Sequence, residues 1–584
     1  MVVCIKYNRS IVEAMLFVLV LLIALFVGFF DPLHLTHPPH GDLLLNANAV
    51  FNIHNHIPYV VKGNLQWMNE REYYFYVSPL TDYFSALFWD NKKGLIENAI
   101  PPVVWGVIFT YSLAYLFARR YFGRKVAFAT IFLMSLSSYW YNYTVRSLYA
   151  PWAFLPGFSV LFCWIYLKFR QSGNLWFMVV SGGIAAIAFY FVTWPFIVLV
   201  IPSLLIMNFM RRAEPGKSKL MAGFFIFLAV FTVLVAIKEY LFVATGLRYP
   251  GDPGGLETYF KIFFQGRWVS EKAVSTFSWV NIFSSMGDNI ANVLKMIFIP
   301  TAVYPGGNLL SARPLDAALP LMTPLVTLAF IPGLAFMFFK KSSEDINKFL
   351  PCIVLLTIGM LAFLLAAPVP RYMLTIFPFV YMIAAYYIVG VYNRCTMNQT
   401  KRIIFFLLIS ALLLFNIKET VQDYMGKVLP AYSRFEHNCY NSIQWPFESL
   451  KTFLDENKGD YDLIVIPNNF TSQMITYLRL WPWLVQVDGH PAAKAIASYS
   501  LFLKGLPFLR AEQYPNVLII TNVYNSLLND EICPGWPNLM PYDKTALTPN
   551  DVEALFPQAK FLRYAGCTVY SQMLALYEVD RRKL

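Results

Sequence analysis

The chain has 584 residues, of which 57% are hydrophobic, 17% aromatic and only 14% charged. Its mean hydropathy is +0.50. An ordinary soluble domain carries about 25% charged residues, so a wholly soluble enzyme is excluded. The formal net charge of +12 would suggest nucleic acid as a partner if it were spread over a soluble surface, and the placement of the charges decides against that.

About 20 apolar residues are needed for a helix to cross roughly 30 Å of hydrocarbon. Such stretches fall at 12–30, 101–118, 126–143, 148–167, 175–192, 195–210, 221–243, 317–339, 349–367, 372–392 and 403–417. The fold class read from them is a polytopic α-helical membrane protein of about 11 transmembrane helices. The first stretch has no small-residue cleavage site before Asp31-Pro32, so it is read as a retained helix and not as a signal peptide.

Lysine and arginine in short loops beside helix ends mark the cytoplasmic side. They alternate cleanly here. Lys6 and Arg9 precede the first stretch; Arg119, Arg120, Arg124 and Lys125 follow the second; Lys168 and Arg170 follow the fourth. Arg211, Arg212, Lys217 and Lys219 come next, then Lys340, Lys341 and Lys348, then Arg394, Lys401 and Arg402. These six segments hold 18 basic residues against four acidic ones, and they are assigned to the cytoplasm together with the N-terminus. The loops 31–100 and 244–316 then face the other side, as does everything after 417. The surplus positive charge thus records topology, and no nucleic-acid partner is implied.

Residues 1–417 are read as the membrane domain and 418–584 as a separate extracytoplasmic α/β domain. The tail has 15 basic and 17 acidic residues and no spanning stretch. Strands are expected at 462–467 and 516–521, helices around 444–457, 471–480 and 490–503, and a closing hairpin over 559–579 that turns at Gly566. Seven cysteines are scattered without a CxxC, which argues against a zinc ribbon or a redox pair. Cys439, Cys533 and Cys567 lie on the outer side, where one disulfide could form between an unspecified pair.

Five of the seven histidines fall between 34 and 56, beside Asp42 in the first outer loop. Asp42 follows the first stretch closely and is expected near the membrane surface, where irregular chain is tolerated only against protein or a cavity. A carboxylate there suits a general base that takes a proton from an acceptor attacking a lipid-linked donor. It equally suits an N-cap for the helical run Leu43–Val50. A divalent metal held by His37, His40 and Asp42, or by His54 and His56, is a further possibility. No pair has i,i+4 ligand spacing, however, and a polar interfacial loop accounts for the histidines without a metal.

Arg371, next to Tyr372 in Pro368-Val-Pro-Arg-Tyr372, stands at the outer mouth of the tenth stretch. Pointing outward it would snorkel to lipid headgroups; pointing inward it is a natural bidentate clamp for a polyprenyl phosphate. Lys238-Glu239, within the seventh stretch, should face the bundle interior, because a charge facing lipid is costly. It reads best as a structural ion pair.

This arrangement resembles the GT-C glycosyltransferases, particularly the protein O-mannosyltransferase and aminoarabinose-transferase branch. Asp42 takes the place of that family's catalytic aspartate. The expected helix 43–57 follows it, then Lys62-Gly63-Asn64, then Phe75-Tyr-Val-Ser-Pro79-Leu80-Thr-Asp-Tyr83. The run Gly182-Gly183 to Thr193-Trp-Pro195 looks like the family's glycine-rich fifth helix and its closing turn. Arg371-Tyr372 followed by Phe377-Pro378 is similar to its late Arg-Tyr motif. The sequence departs from the family at Leu43, where the second acid of an Asp-Glu pair is usual, and at Val77, where lysine often precedes Pro-Leu. It departs again at Arg146-Ser-Leu-Tyr149, where an acidic residue is expected.

The resemblance implies a multi-pass enzyme of a prokaryotic plasma membrane that moves a sugar from a polyprenyl-phosphate carrier to a protein, lipid or glycan acceptor. It implies Asp42 as catalytic base, with Arg371, Tyr372 and Arg146 at the donor phosphate; no cofactor is certain, and a divalent metal stays open. A transporter or flippase of a lipid-linked saccharide and a non-catalytic assembly factor are the alternatives. Paired halves with matching broken helices, the mark of many transporters, are not evident.

Overall fold

The computed structural model describes residues 2–29, 50, 53–54, 79–91, 93, 95–145, 150–192, 216–244, 321–339, 346–364, 370–395, 399–422, 453–454, 456–457, 460–466, 495–498, 512, 514–523, 549–567 and 573–583. The helices of the first part are α1 (Val2–Phe29), α2 (Pro79–Ala86), α3 (Leu95–Phe122), α4 (Arg124–Met134), α5 (Ala150–Ser172), α6 (Trp176–Val192) and α7 (Lys217–Ala244). They continue with α8 (Pro324–Phe339), α9 (Ile346–Leu364), α10 (Phe377–Cys395) and α11 (Gln399–Gln422). Every expected stretch within the described residues is helical at least in part; 195–210 lies outside them. Among the described residues three helical segments, Glu97–Phe122, Ala150–Ser172 and Ser218–Lys238, are long and apolar enough to cross a membrane by length and composition. Shorter apolar helical segments occupy Ile11–Phe26, Trp176–Phe191, Pro324–Phe339 and Ile346–Met360.

Two stretches differ from the sequence reading. The one expected at 126–143 is interrupted: α4 stops at Met134, and after Ser135–Ser137 come a short helix Ser138–Trp140 and a π-helical turn Tyr141–Val145. Hydroxyl groups drive the break, since Ser135 Oγ bonds Phe132 O at 2.7 Å and Tyr141 Oη bonds Ser135 O at 2.7 Å. Such local bonds compete with the helical ladder. The tenth stretch begins as a 3₁₀ turn, Pro370–Thr375, and only becomes α-helical at Phe377. Thr375 Oγ1 bonds Tyr372 O at 2.9 Å within that turn.

The contacts fix the helix directions. Gly106 faces Ala153 and Gly157 faces Phe109, so α3 and α5 run parallel with α4 returning between them. Gly223 meets Met178 and Gly182 meets Phe227 and Val230, which makes α6 and α7 parallel. Gly333 meets Ile383 and Tyr387 and Phe336 meets Gly390, which does the same for α8 and α10. At each of these crossings a β-carbon on at least one glycine would approach a neighbour to about 3 Å or less (2.9 Å from Phe227 O for Gly182), so close helix contact explains the glycine.

The directions gather basic residues at one end. Glu13 of α1, nearly buried, takes Arg119 Nε at 2.7 Å and Arg124 Nε at 3.0 Å, and accepts a hydrogen bond from Tyr115 Oη. Lys125 Nζ lies 3.3 Å from Asn393 Oδ1 and 5.1 Å over the Tyr392 ring, while Arg394 sits 4.9 Å over Phe336. Lys238 turns to the protein, its Nζ 4.0 Å over the Tyr190 ring, in agreement with an interior-facing charge.

In the C-terminal part β1 (Leu463–Ile466), β2 (Ala495–Ser498), β3 (Asn516–Val523), β4 (Lys560–Cys567) and β5 (Met573–Asp580) form one sheet of order β2-β1-β3-β5-β4. The β2-β1-β3 side is parallel, and β5 pairs antiparallel with β3 and β4. Helix α12 (Pro549–Leu555) precedes β4. The core strands run Leu463-Ile-Val-Ile466 and Val517-Leu-Ile-Ile520, the near-continuous apolar pattern of strands covered on both faces.

Two expectations are corrected here. The helix expected at 490–503 contains strand β2: its alanine-rich run favours helix intrinsically, but pairing along β1 overrides that preference. Gly566 is not the hairpin turn. It lies inside β4 where the register shifts between Ala565 and Cys567, and glycine within a strand commonly marks such a bulge.

Candidate functional site

At the end of the bundle opposite the basic cluster, short irregular elements meet. The π-turn Tyr141–Val145 leads toward the start of α5, and Trp152 of α5 packs its ring 6.2 Å from Tyr372 in the 3₁₀ turn. Trp140 and Tyr139 stack on Phe377 just below, at 5.3 and 6.2 Å. π-helical turns are frequent at functional sites. Here the turn directly follows Tyr139 and Trp140 and directly precedes the segment that holds Arg146.

Helix α2 closes the same end. Phe84 packs edge-on to Phe154 of α5 at 5.6 Å and meets Phe191 of α6 at 5.7 Å. Thr81 Oγ1 donates to Phe191 O near the end of α6. His54 places Nδ1 3.1 Å from Ala86 O at the other end of α2. Behind α2, Asn98 of α3 clamps the connecting turn: its Oδ1 receives Asp90 N–H at 2.8 Å, and its Nδ2 donates to Asp90 O at 3.0 Å.

The titratable group that stands out is Asp82 of α2. It is 1% exposed, and among the described residues its Oδ2 has no hydrogen-bond partner. Burial pushes its carboxyl well above the usual carboxylate range. The sequence places Asp82 only within the run Phe75–Tyr83 and gives it no role of its own; in the structure it falls in the first turn of α2.

The predicted site residues divide. Tyr372 is buried against Trp152, and the backbone of Arg371 lies in the same 3₁₀ turn. Arg146 lies outside the described residues, but the elements on either side of it, ending at Val145 and starting at Ala150, both belong to this end. Asp42, His37 and His40 also lie outside the described residues, and among the described residues no group of three or more His, Cys, Asp or Glu could hold a metal.

Solved structures of the kind the sequence resembles share this fold. The crystal structure of ArnT from Cupriavidus metallidurans bound to undecaprenyl phosphate superposes with a TM-score of 0.56 at 12% identity, over 96% of this chain and 97% of that one. The archaeal oligosaccharyltransferase AglB from Archaeoglobus fulgidus, in complex with an inhibitory peptide and a dolichol-phosphate, gives 0.51 at 11% identity over 90% of this chain and 70% of its own. Residues 77–237 match the family model described as dolichyl-phosphate-mannose-protein mannosyltransferase. No curated protein matches by sequence.

Proposed function

We propose that the protein is an integral-membrane glycosyltransferase that takes a sugar from a polyprenyl-phosphate carrier and passes it to a protein, lipid or glycan acceptor on the extracytoplasmic face. The observation that carries this reading is the convergence at one end of the bundle of α2, the segments flanking Arg146 and the turn bearing Arg371 and Tyr372, although α2 and that turn are far apart in sequence. ArnT binds undecaprenyl phosphate and AglB a dolichol-phosphate in folds of this kind, which supports a lipid-phosphate donor here.

In the reaction, Asp42 takes the proton from the acceptor as its heteroatom bonds the anomeric carbon of the sugar. The bond from that carbon to the phosphate oxygen breaks, and the lipid phosphate leaves with one more negative charge than it had as a diester. Arg371 and Arg146, beside Tyr372, meet that growing charge, and placing cations where charge develops is an effective way to lower such a barrier. Residues 418–584 form the outer domain that selects the acceptor.

The test is transfer from a labelled polyprenyl-phosphate sugar by the purified protein in liposomes. Asp42→Asn should lower turnover by about a hundredfold or more, and Arg371→Ala should weaken donor use with the protein still folded. Full activity in Asp42→Asn, or labelled substrate crossing the bilayer without a covalent product, would overturn the proposal.

A further inference from the structure

We propose that Asp82 is a contact for the transferred sugar, a buried carboxyl that acquires its hydrogen-bond partners from sugar hydroxyls when the lipid-linked donor is seated. This rests on the glycosyltransferase reading above and adds to it the residue that distinguishes a loaded carrier from an empty one. Native proteins rarely bury a polar side chain without a partner, and the exceptions call for a reason. Asp82 is 1% exposed and its Oδ2 is unpartnered among the described residues. Support for the α2 dipole would be served equally well by an acid facing water, where the carboxyl keeps its hydration.

Position argues for the sugar. Thr81, the preceding residue, is bonded to the carbonyl of Phe191, and Phe84 is wedged between Phe154 and Phe191. Asp82 is thereby held on a helix packed against the outer ends of α5 and α6, and Trp152 at that same end of α5 packs against Tyr372, the neighbour of Arg371. A sugar joined directly to the phosphate must lie within a few ångströms of whatever holds that phosphate. A carboxyl is a poor partner for the phosphate itself and a good one for hydroxyls, which donate to it and accept from it.

The test compares binding of bare undecaprenyl phosphate with binding of a panel of undecaprenyl-phosphate hexoses and pentoses, in wild type, Asp82→Leu and Asp82→Ala. The wild type should prefer at least one loaded carrier. Both variants should lose that preference by about ten- to hundredfold, the worth of hydrogen bonds to a charged or strongly polar group, while binding the bare lipid as wild type does and melting no lower. A variant that keeps the preference, or a leucine variant that melts lower while the alanine variant binds loaded carrier normally, overturns the proposal and makes Asp82 structural. A wild type that binds the bare lipid and gains nothing from any sugar overturns it while leaving the phosphate clamp standing. A wild type that binds neither overturns the glycosyltransferase reading beneath it.

Discussion

At the scale of single residues, the contrast between Glu13 and Asp82 shows what burial does to a carboxylate. Glu13 is satisfied by two guanidinium groups and a phenol, and it ties α1 to α3 and α4. Asp82 has burial without those partners, so its neutral form is favoured. The sign of the pH effect follows. With the folded pKa raised above the unfolded value of about 3.9, the folded state binds more protons in between, and stability falls as pH rises from about 4 through the raised value. Asp82→Asn has no proton to lose at this site. The wild type should therefore melt closest to the Asn variant at the acid end and fall progressively below it toward neutral pH, as read by thermal unfolding in detergent across a pH series. Parallel melting curves for the two proteins would sink the assignment. Sequence alone singled out Arg371 and Asp42 because charged residues are conspicuous in an apolar chain. Asp82 escaped notice because its meaning lies in what surrounds it.

At the scale of elements, most helices were legible because a 20-residue apolar run has few other ways to satisfy its backbone. The failures occurred where side-chain hydroxyls or neighbouring strands outbid local preference: at Ser135–Ser137, in the 3₁₀ turn of Tyr372, and in β2. Helix α5 shows how a polar side chain from another element can repair a weak place. Pro156 withdraws the N–H that the carbonyl of Trp152 would take and crowds the turn before it. One residue on, Thr110 of α3 donates its hydroxyl to Ala153 O at 2.6 Å and accepts Gly157 N–H at 3.1 Å. Both groups are buried, and Gly157 has no side chain because Phe109 fills that space, 2.5 Å from where a β-carbon would stand. Thr110→Val keeps the shape and removes the bridge. It should cost about 1–3 kcal/mol of stability, seen as a lower melting temperature, with Thr110→Ser restoring most of the loss. A valine variant as stable as wild type would show that the bridge is incidental.

At the scale of the whole molecule, the alternation of basic segments along the sequence and the alternation of helix directions in space agree. Parallel pairs α3–α5, α6–α7 and α8–α10 bring the arginines and lysines of distant loops to one end, while α2 and the turns of Tyr141 and Arg371 fall at the other. The sequence could state this as charge bookkeeping, whereas the meeting of α2 with α5 and α6 depended on aromatic contacts that no periodicity encodes. The positive-inside rule then makes a physical prediction about the two ends. In a background lacking the seven native cysteines, a cysteine at Leu87, 78% exposed just beyond α2, should react in intact cells with a maleimide that cannot cross the membrane. A cysteine at Ser172, exposed at the end of α5 beside Arg170, should react only after permeabilisation. The reverse pattern would put the cluster of Asp82, Tyr372 and the Arg371 turn in the cytoplasm. The donor would then have to be presented from the cytoplasmic leaflet, and the outer domain assigned to 418–584 would lose its place beside the reaction.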